Sequence, residues 1–190
     1  MQSSDPFFFG YGSLVNRDTH SYATAHRARL KGWRRAWRHT QGRMVPFLTG
    51  VPCAGSEIDG LVALVPGADW AALDLREEGY LRHVIDAGLQ AEAPHPVAAQ
   101  IYAVPPESMV YPQERAPILL SYLDVVTQGY LREFGEAGAL AFFATTDGWD
   151  TPLRDDRADP LYPRHQRLSA SERGFVDDQL QALGAVVRRG

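Results

Sequence analysis

The chain has 190 residues, enough to bury a sizeable core in one domain or in one domain with an appendage. Its 45% hydrophobic, 22% charged and 11% aromatic content speaks against disorder and low complexity. With 19 basic and 23 acidic residues the net charge is −4, which argues against a dedicated nucleic-acid binder, and the single Cys53 excludes an internal disulfide framework and a cysteine-based zinc site.

The aromatic run Phe7-Phe8-Phe9, ended by Gly10, predicts a short buried strand, and residues 10–14, Gly-Tyr-Gly-Ser-Leu, predict a sharp turn. Residues 16–27 read as loop with a helical turn. Residues 30–39 are mixed in pattern, with 32–38 suiting a strand better than a helix; 47–49 and 60–65 are further strands, which a turn region at 52–57 separates. Asp69 is placed to cap a helix over 70–78, with Trp70, Leu73 and Glu77 on related faces. Strands are expected at 80–86 and 97–104, the latter bounded by prolines. Beyond Pro112, Ile118, Leu119, Tyr122, Leu123, Val126, Tyr130 and Leu131 recur at three- and four-residue spacing and predict a helix over 117–134, with 140–145 extending it. Residues 147–168 read as loop, and a helix over 171–183, capped by Ser169 or Ser171, closes the chain. The layout is α+β in one unit, strand-rich to about residue 105 and mostly helical beyond.

Several chemistries lack their motifs. Gly10-x-Gly12 has Val15 where a dinucleotide fingerprint needs its third glycine, and Ser13 lacks the flanking glycines of a hydrolase elbow. The six histidines have no metal-binding spacing, and the aspartates between 147 and 159 lack a calcium-loop pattern, so no metal and no cofactor are expected. Cys53 has no base nearby and is expected to be a buried structural thiol. From Thr19 to Ser56 seven basic residues stand without an acid, Arg27, Arg29, Lys31, Arg34, Arg35, Arg38 and Arg43. A solvated strand face paired with later acids is preferred to a nucleic-acid platform; attraction of an anionic small substrate is a middle reading. Met1 to Pro6 has no basic n-region, and no stretch nears the roughly 18 apolar residues of a spanning helix, so a cytoplasmic protein without membrane contact is expected.

Two segments argue for function. In Phe9-Gly10-Tyr11-Gly12-Ser13-Leu14 the alternating glycines let successive backbone N–H groups face one concavity suited to a carboxylate or oxyanion. In Leu73-Asp74-Leu75-Arg76-Glu77-Glu78-Gly79-Tyr80, Glu77 continues the apolar stripe of Leu73 and Trp70, whereas Glu78 turns about 100° away. A carboxylate on a buried stripe has a raised pKa, toward the range useful to a general base.

Together the two segments resemble the γ-glutamylcyclotransferase superfamily, including its ChaC-type branch. That family opens with a strand running into Tyr-Gly-Ser-Leu, here Tyr11-Gly12-Ser13-Leu14, and carries its glutamate in an Arg-Glu-x-Gly-Tyr or Leu-Asp-x-x-Glu-Gly context. The first form and the count from Asp74 select Glu77; the glycine-anchored count selects Glu78, and helical phase favours Glu77. Tyr122-Leu123-Asp124-Val125-Val126-Thr127-Gln128-Gly129 is similar to a family helix whose tyrosine lines the pocket, although Tyr122 also falls on the core stripe of Ile118 and Val126. The resemblance covers about residues 7–135, with 136–190 as a C-terminal extension of unassigned role within a single 1–190 unit. It implies a small mixed β-barrel with surrounding helices and a helical extension. It also implies a cofactor-free conversion of a small-molecule γ-glutamyl peptide or amine to 5-oxoproline, with Glu77 as general acid and base and Tyr11, Gly12, Ser13, Leu14 and Tyr122 at the substrate. The alternative, from another class, is a non-catalytic module that binds a small carboxylate or a protein. The sequence leaves substrate identity and oligomeric state open.

Overall fold

The computed structural model describes residues 6–189; the expectation for residues 1–5 lies outside them. In chain order the strands and helices of the first half are β1 (Phe7–Gly10), β2 (Ala25–Thr40), β3 (Phe47–Leu64), α1 (Trp70–Arg76), β4 (Leu81–Val84), β5 (Leu89–Ala91) and β6 (Ala99–Ala103). The second half adds β7 (Met109–Val110), β8 (Ile118–Leu119), α2 (Leu120–Ala144), β9 (Thr146–Asp147), β10 (Leu153–Asp155), α3 (Ala170–Ala182) and β11 (Val187–Arg189). Eight strands form one mixed sheet in the order β4-β6-β1-β3-β2-β5, with β7 and β9 also pairing with β2. The other three form a small parallel sheet, β11-β10-β8. This is the expected α+β architecture, a large mixed sheet with helices packed on it.

The position of β1 explains its composition. It lies between β3, antiparallel, and β6, parallel. Phe8 packs with Ala63, Val65, Leu73 and Tyr102, while Phe9 faces the other way into Leu30, Val62 and Ile101. A strand covered on both faces reads as a continuous apolar run rather than an alternating one.

The segments 47–49 and 60–65 are not separate strands. β3 runs for 18 residues along the 16 of β2. Lys31 faces Glu57 and Trp33 faces Pro52, so residues 53–56 bulge out opposite Gly32. Gly32 and Gly55 adopt φ of 82° and 80°, a conformation open to glycine at little cost. The turn-forming residues of 52–57 therefore make a bulge inside a hairpin. Cys53 sits in this bulge, half-buried rather than in the core.

Asp69 caps α1 as expected, its Oδ1 accepting from the Ala72 N–H at 3.1 Å, and Leu73 anchors the helix against Phe8 and Tyr102. α1 stops at Arg76, two residues earlier than expected. α2 is broken at Gly135 (φ 67°, ψ −171°), and the break divides the predicted 117–134 helix from the 140–145 segment. Its first turn is capped by the buried Asp156, whose carboxylate accepts from the Ser121 N–H at 2.8 Å and from the Ser121 hydroxyl. α3 carries the reciprocal Ser169 and Glu172 cap. The short strands β5, β9, β10 and β11 fall in stretches that the sequence presents as loop or helix end.

The basic strip is largely neutralised by ion pairs. Arg27 lies 3.7 Å from Glu133, Arg29 2.7 Å from Asp59, Arg34 2.7 Å from Asp147 and Arg43 3.1 Å from Glu78. Arg35 differs from these, being almost wholly buried, and is used to build the site. No helix among the described residues is long and apolar enough to cross a membrane.

Candidate active site

At the end of β1 the chain passes through Tyr11 and Gly12 into a tight helical turn, Ser13–Val15, followed by a second, Arg17–Thr19. The Val15 N–H donates to the Gly12 carbonyl at 3.0 Å, which leaves the N–H groups of Ser13 and Leu14 ahead of the first bond within the turn. The loop is gripped from behind. Arg35 Nε donates to the Tyr11 carbonyl at 3.1 Å, and the Tyr130 hydroxyl donates to the same oxygen at 2.9 Å. The remaining Arg35 donors reach Thr145 Oγ1, the Asp59 carbonyl and the Tyr130 hydroxyl. From the other side, α2 supports the turns through Asn16, whose Nδ2 donates to the Val125 carbonyl and to Gln128 Oε1, each at 3.0 Å. Gly129 makes this approach possible, because a Cβ there would lie 2.6 Å from the Asn16 backbone nitrogen.

In front of the loop is a pocket of about 360 Å³, part of it open to solvent, lined by Gly10 to Leu14 together with Glu77, Tyr80, Tyr102 and Tyr122. The residues predicted from the two separate segments and from α2, namely Tyr11, Gly12, Ser13, Leu14, Glu77 and Tyr122, thus meet at one cavity. Glu77 follows the last residue of α1 and still donates its N–H to the Leu73 carbonyl at 3.0 Å, so it keeps the helical phase. Glu78 points away from the pocket, with its side chain 74% exposed and paired with Arg43. A Cβ on Gly12 would come within 2.8 Å of the Tyr122 hydroxyl, which shows how closely that tyrosine meets the loop.

Burial pushes the Glu77 carboxyl above its ordinary value, and the nearby guanidinium groups of Arg76 and Arg164 pull it back. Arg76 Nε lies 3.3 Å from Glu77 Oε1, and the two form an ion pair at the edge of the pocket. The phenols of Tyr11, Tyr80, Tyr102 and Tyr122 are all pushed upward, burial being the leading cause, and stay neutral donors. Tyr11 donates to the Tyr102 carbonyl, Tyr80 to the Leu48 carbonyl at 3.0 Å and Tyr102 to Asp74 at 2.6 Å.

A family model described as "Gamma-glutamyl cyclotransferase, AIG2-like" matches residues 8–122. The chain belongs to that family. Among solved structures it is similar to one titled "Gamma-glutamyl cyclotransferase", at 16% identity and a TM-score of 0.59, covering 90% of this chain and 98% of the other. It is also similar to the uncharacterized protein loc79017 from Homo sapiens, at 16% identity and a TM-score of 0.58 over 92% of this chain and 99% of that one. YkqA from Bacillus subtilis matches at 18% identity and a TM-score of 0.54, over 77% of this chain and 57% of its own. At these identities the likeness establishes the fold. A comparison with curated proteins found no match.

The family match ends at Tyr122, yet the cavity continues past it. A second compartment of about 690 Å³, much of it open to solvent, shares Ser13, Leu48, Glu77, Tyr80 and Tyr122 with the first and adds Trp37, Phe47, Arg76, Tyr162 and Arg164. Sequence reasoning missed Tyr80 and Tyr102 as pocket residues, although Tyr80 stands inside the motif that selected Glu77. It also missed Tyr162 and Arg164, for which the loop 147–168 offers no periodic signal.

Proposed function

We propose that this family member is a cofactor-independent γ-glutamylcyclotransferase with Glu77 as its general acid and base. The observation that carries the proposal is the meeting of a half-buried carboxylate of raised pKa with the glycine loop at one pocket. In the reaction the α-amino nitrogen of the γ-glutamyl group attacks its own γ-carbonyl carbon. A C–N bond forms, the amide C–N bond breaks, and the products are 5-oxoproline and the released amine. Glu77 takes the proton from the attacking nitrogen and returns it to the leaving nitrogen. The N–H groups of Ser13 and Leu14 stabilise the negative oxygen of the tetrahedral intermediate. Tyr11, Gly12 and Tyr122 shape the space around the glutamyl group. Because the nucleophile is tethered, orientation supplies much of the rate.

One observation favours a second reading, a binding module without catalysis: Glu77 is ion-paired with Arg76. The pocket that opens between Tyr11 and Glu77 weighs for the catalytic reading. Assay of 5-oxoproline release from glutathione, γ-glutamyl dipeptides and γ-glutamylamines decides between them. Turnover of at least one class is expected, and release from none contradicts the proposal.

A further inference from the structure

The second compartment has a composition that a γ-glutamyl group does not need. Five of its thirteen lining residues are aromatic, Trp37, Phe47, Tyr80, Tyr122 and Tyr162. Tyr162 meets Tyr122 edge to face with ring centroids 5.0 Å apart, and Trp37 meets Tyr122 in the same way at 5.9 Å. Its spare hydrogen-bonding capacity is cationic. The exposed Arg164 lines the compartment and makes no ion pair among the described residues. A guanidinium free of an internal partner at a cavity wall favours a ligand that brings a carboxylate.

The loop carrying Tyr162 and Arg164 is fixed to the site by α2. Asp156, the cap of that helix, also accepts from the Leu161 N–H at 2.9 Å. Next to it, Arg157 makes a two-pronged pair with the buried Asp124 of α2, both contacts at 2.7 Å, and a third contact with Asp177 of α3 at 2.8 Å. The Tyr162 N–H donates to the Ser121 hydroxyl at 3.3 Å. The residues at the rim of the compartment are therefore held by charge-assisted bonds.

We infer that this compartment receives the leaving group and that its ligand is a bulky apolar or aromatic α-amino acid with a free carboxylate. Tyr162 and Trp37 hold the side chain, and Arg164 holds the carboxylate. The preferred substrates are then γ-glutamyl derivatives of such amino acids rather than γ-glutamylamines. This inference rests on the cyclotransferase reading, and both can be tested with γ-glutamylphenylalanine and γ-glutamylphenethylamine, which differ only in the leaving group's carboxylate.

The wild type is expected to favour γ-glutamylphenylalanine by about tenfold in kcat/KM, a preference that Arg164→Ala removes and Arg164→Lys partly restores. Equal use of both compounds by the wild type, or a preference that survives Arg164→Ala, overturns the inference while leaving the cyclotransferase reading intact. If neither compound yields 5-oxoproline while another γ-glutamyl compound does, the inference is overturned and the cyclotransferase reading stands; if no γ-glutamyl compound does, that reading fails and calorimetric binding of the same two compounds decides the inference. Binding that depends on the carboxylate and is lost in Arg164→Ala supports it; equal binding, or none, overturns it.

Discussion

The chemistry assigned to Glu77 depends on two opposing influences on one carboxyl. Burial raises its pKa, and Arg76 and then Arg164 lower it. A base must be ionised to accept the ammonium proton, so kcat/KM should rise with pH, its acid limb centred above the ordinary carboxylate range. Removing the cation in Arg76→Gln leaves burial less opposed, so the limb should move to higher pH. A limb that moves to lower pH, or stays, contradicts this electrostatic account. The same shift bears on folding. The native state holds this proton more tightly than the unfolded chain, so the contribution to stability is fully present below the unfolded pKa and is lost as pH rises through the raised one. Gly12 is a second residue whose identity the geometry dictates. A Cβ there would lie 2.8 Å from the Tyr122 hydroxyl. Gly12→Ala should lower kcat/KM by about ten- to a hundredfold while circular dichroism stays unchanged, since small displacements of positioning groups cost that much. Activity like the wild type's would show that the loop has room to spare.

Among the elements, legibility followed local physics. The helix cap at Asp69, the both-faces-buried strand β1 and the capped α3 were readable because each is specified by a few adjacent residues. Glu77 was found by helical phase even though α1 ends at Arg76, because its N–H still bonds to the Leu73 carbonyl. The β3 hairpin was misread for the opposite reason. Pro52 and Gly55 carry turn chemistry, but pairing with β2 on either side of the bulge overrides it. Tyr162 and Arg164 were invisible because the contacts that place them span tens of residues, the Asp156 cap on Ser121 being 35 residues distant in sequence. That cap can be tested. Asp156→Ala leaves the Ser121 and Leu161 N–H groups without their acceptor and should cost about 2–3 kcal/mol. In a chain of this size the melting temperature should fall by roughly 5–10 °C. Melting within a degree of the wild type would mean that the loop is held by Arg157 alone.

At the scale of the molecule, a net charge of −4 conceals a basic first third, and most of that strip is spent on ion pairs within the fold. Arg35, the buried member, grips the glycine loop. One apolar cluster joins Trp37, Leu48 and Leu61 of the hairpin to Phe142, Val176 and Leu180 of the C-terminal helices. The residues beyond the family match therefore complete both the core and the cavity wall. The site itself gathers from β1, the end of α1 and the start of α2, each too far apart in sequence to act without the fold. The central claim is that this convergence makes Glu77, and not its neighbour, the proton carrier. The direct measurement is 5-oxoproline release by Glu77→Gln and Glu78→Gln on a substrate the wild type turns over, with thermal unfolding of each variant recorded alongside. Glu77→Gln is expected to fold and to lose about 10²- to 10⁴-fold in kcat, with Glu78→Gln within about twofold of the wild type. Full activity in a folded Glu77→Gln, or loss confined to Glu78→Gln, would contradict the account.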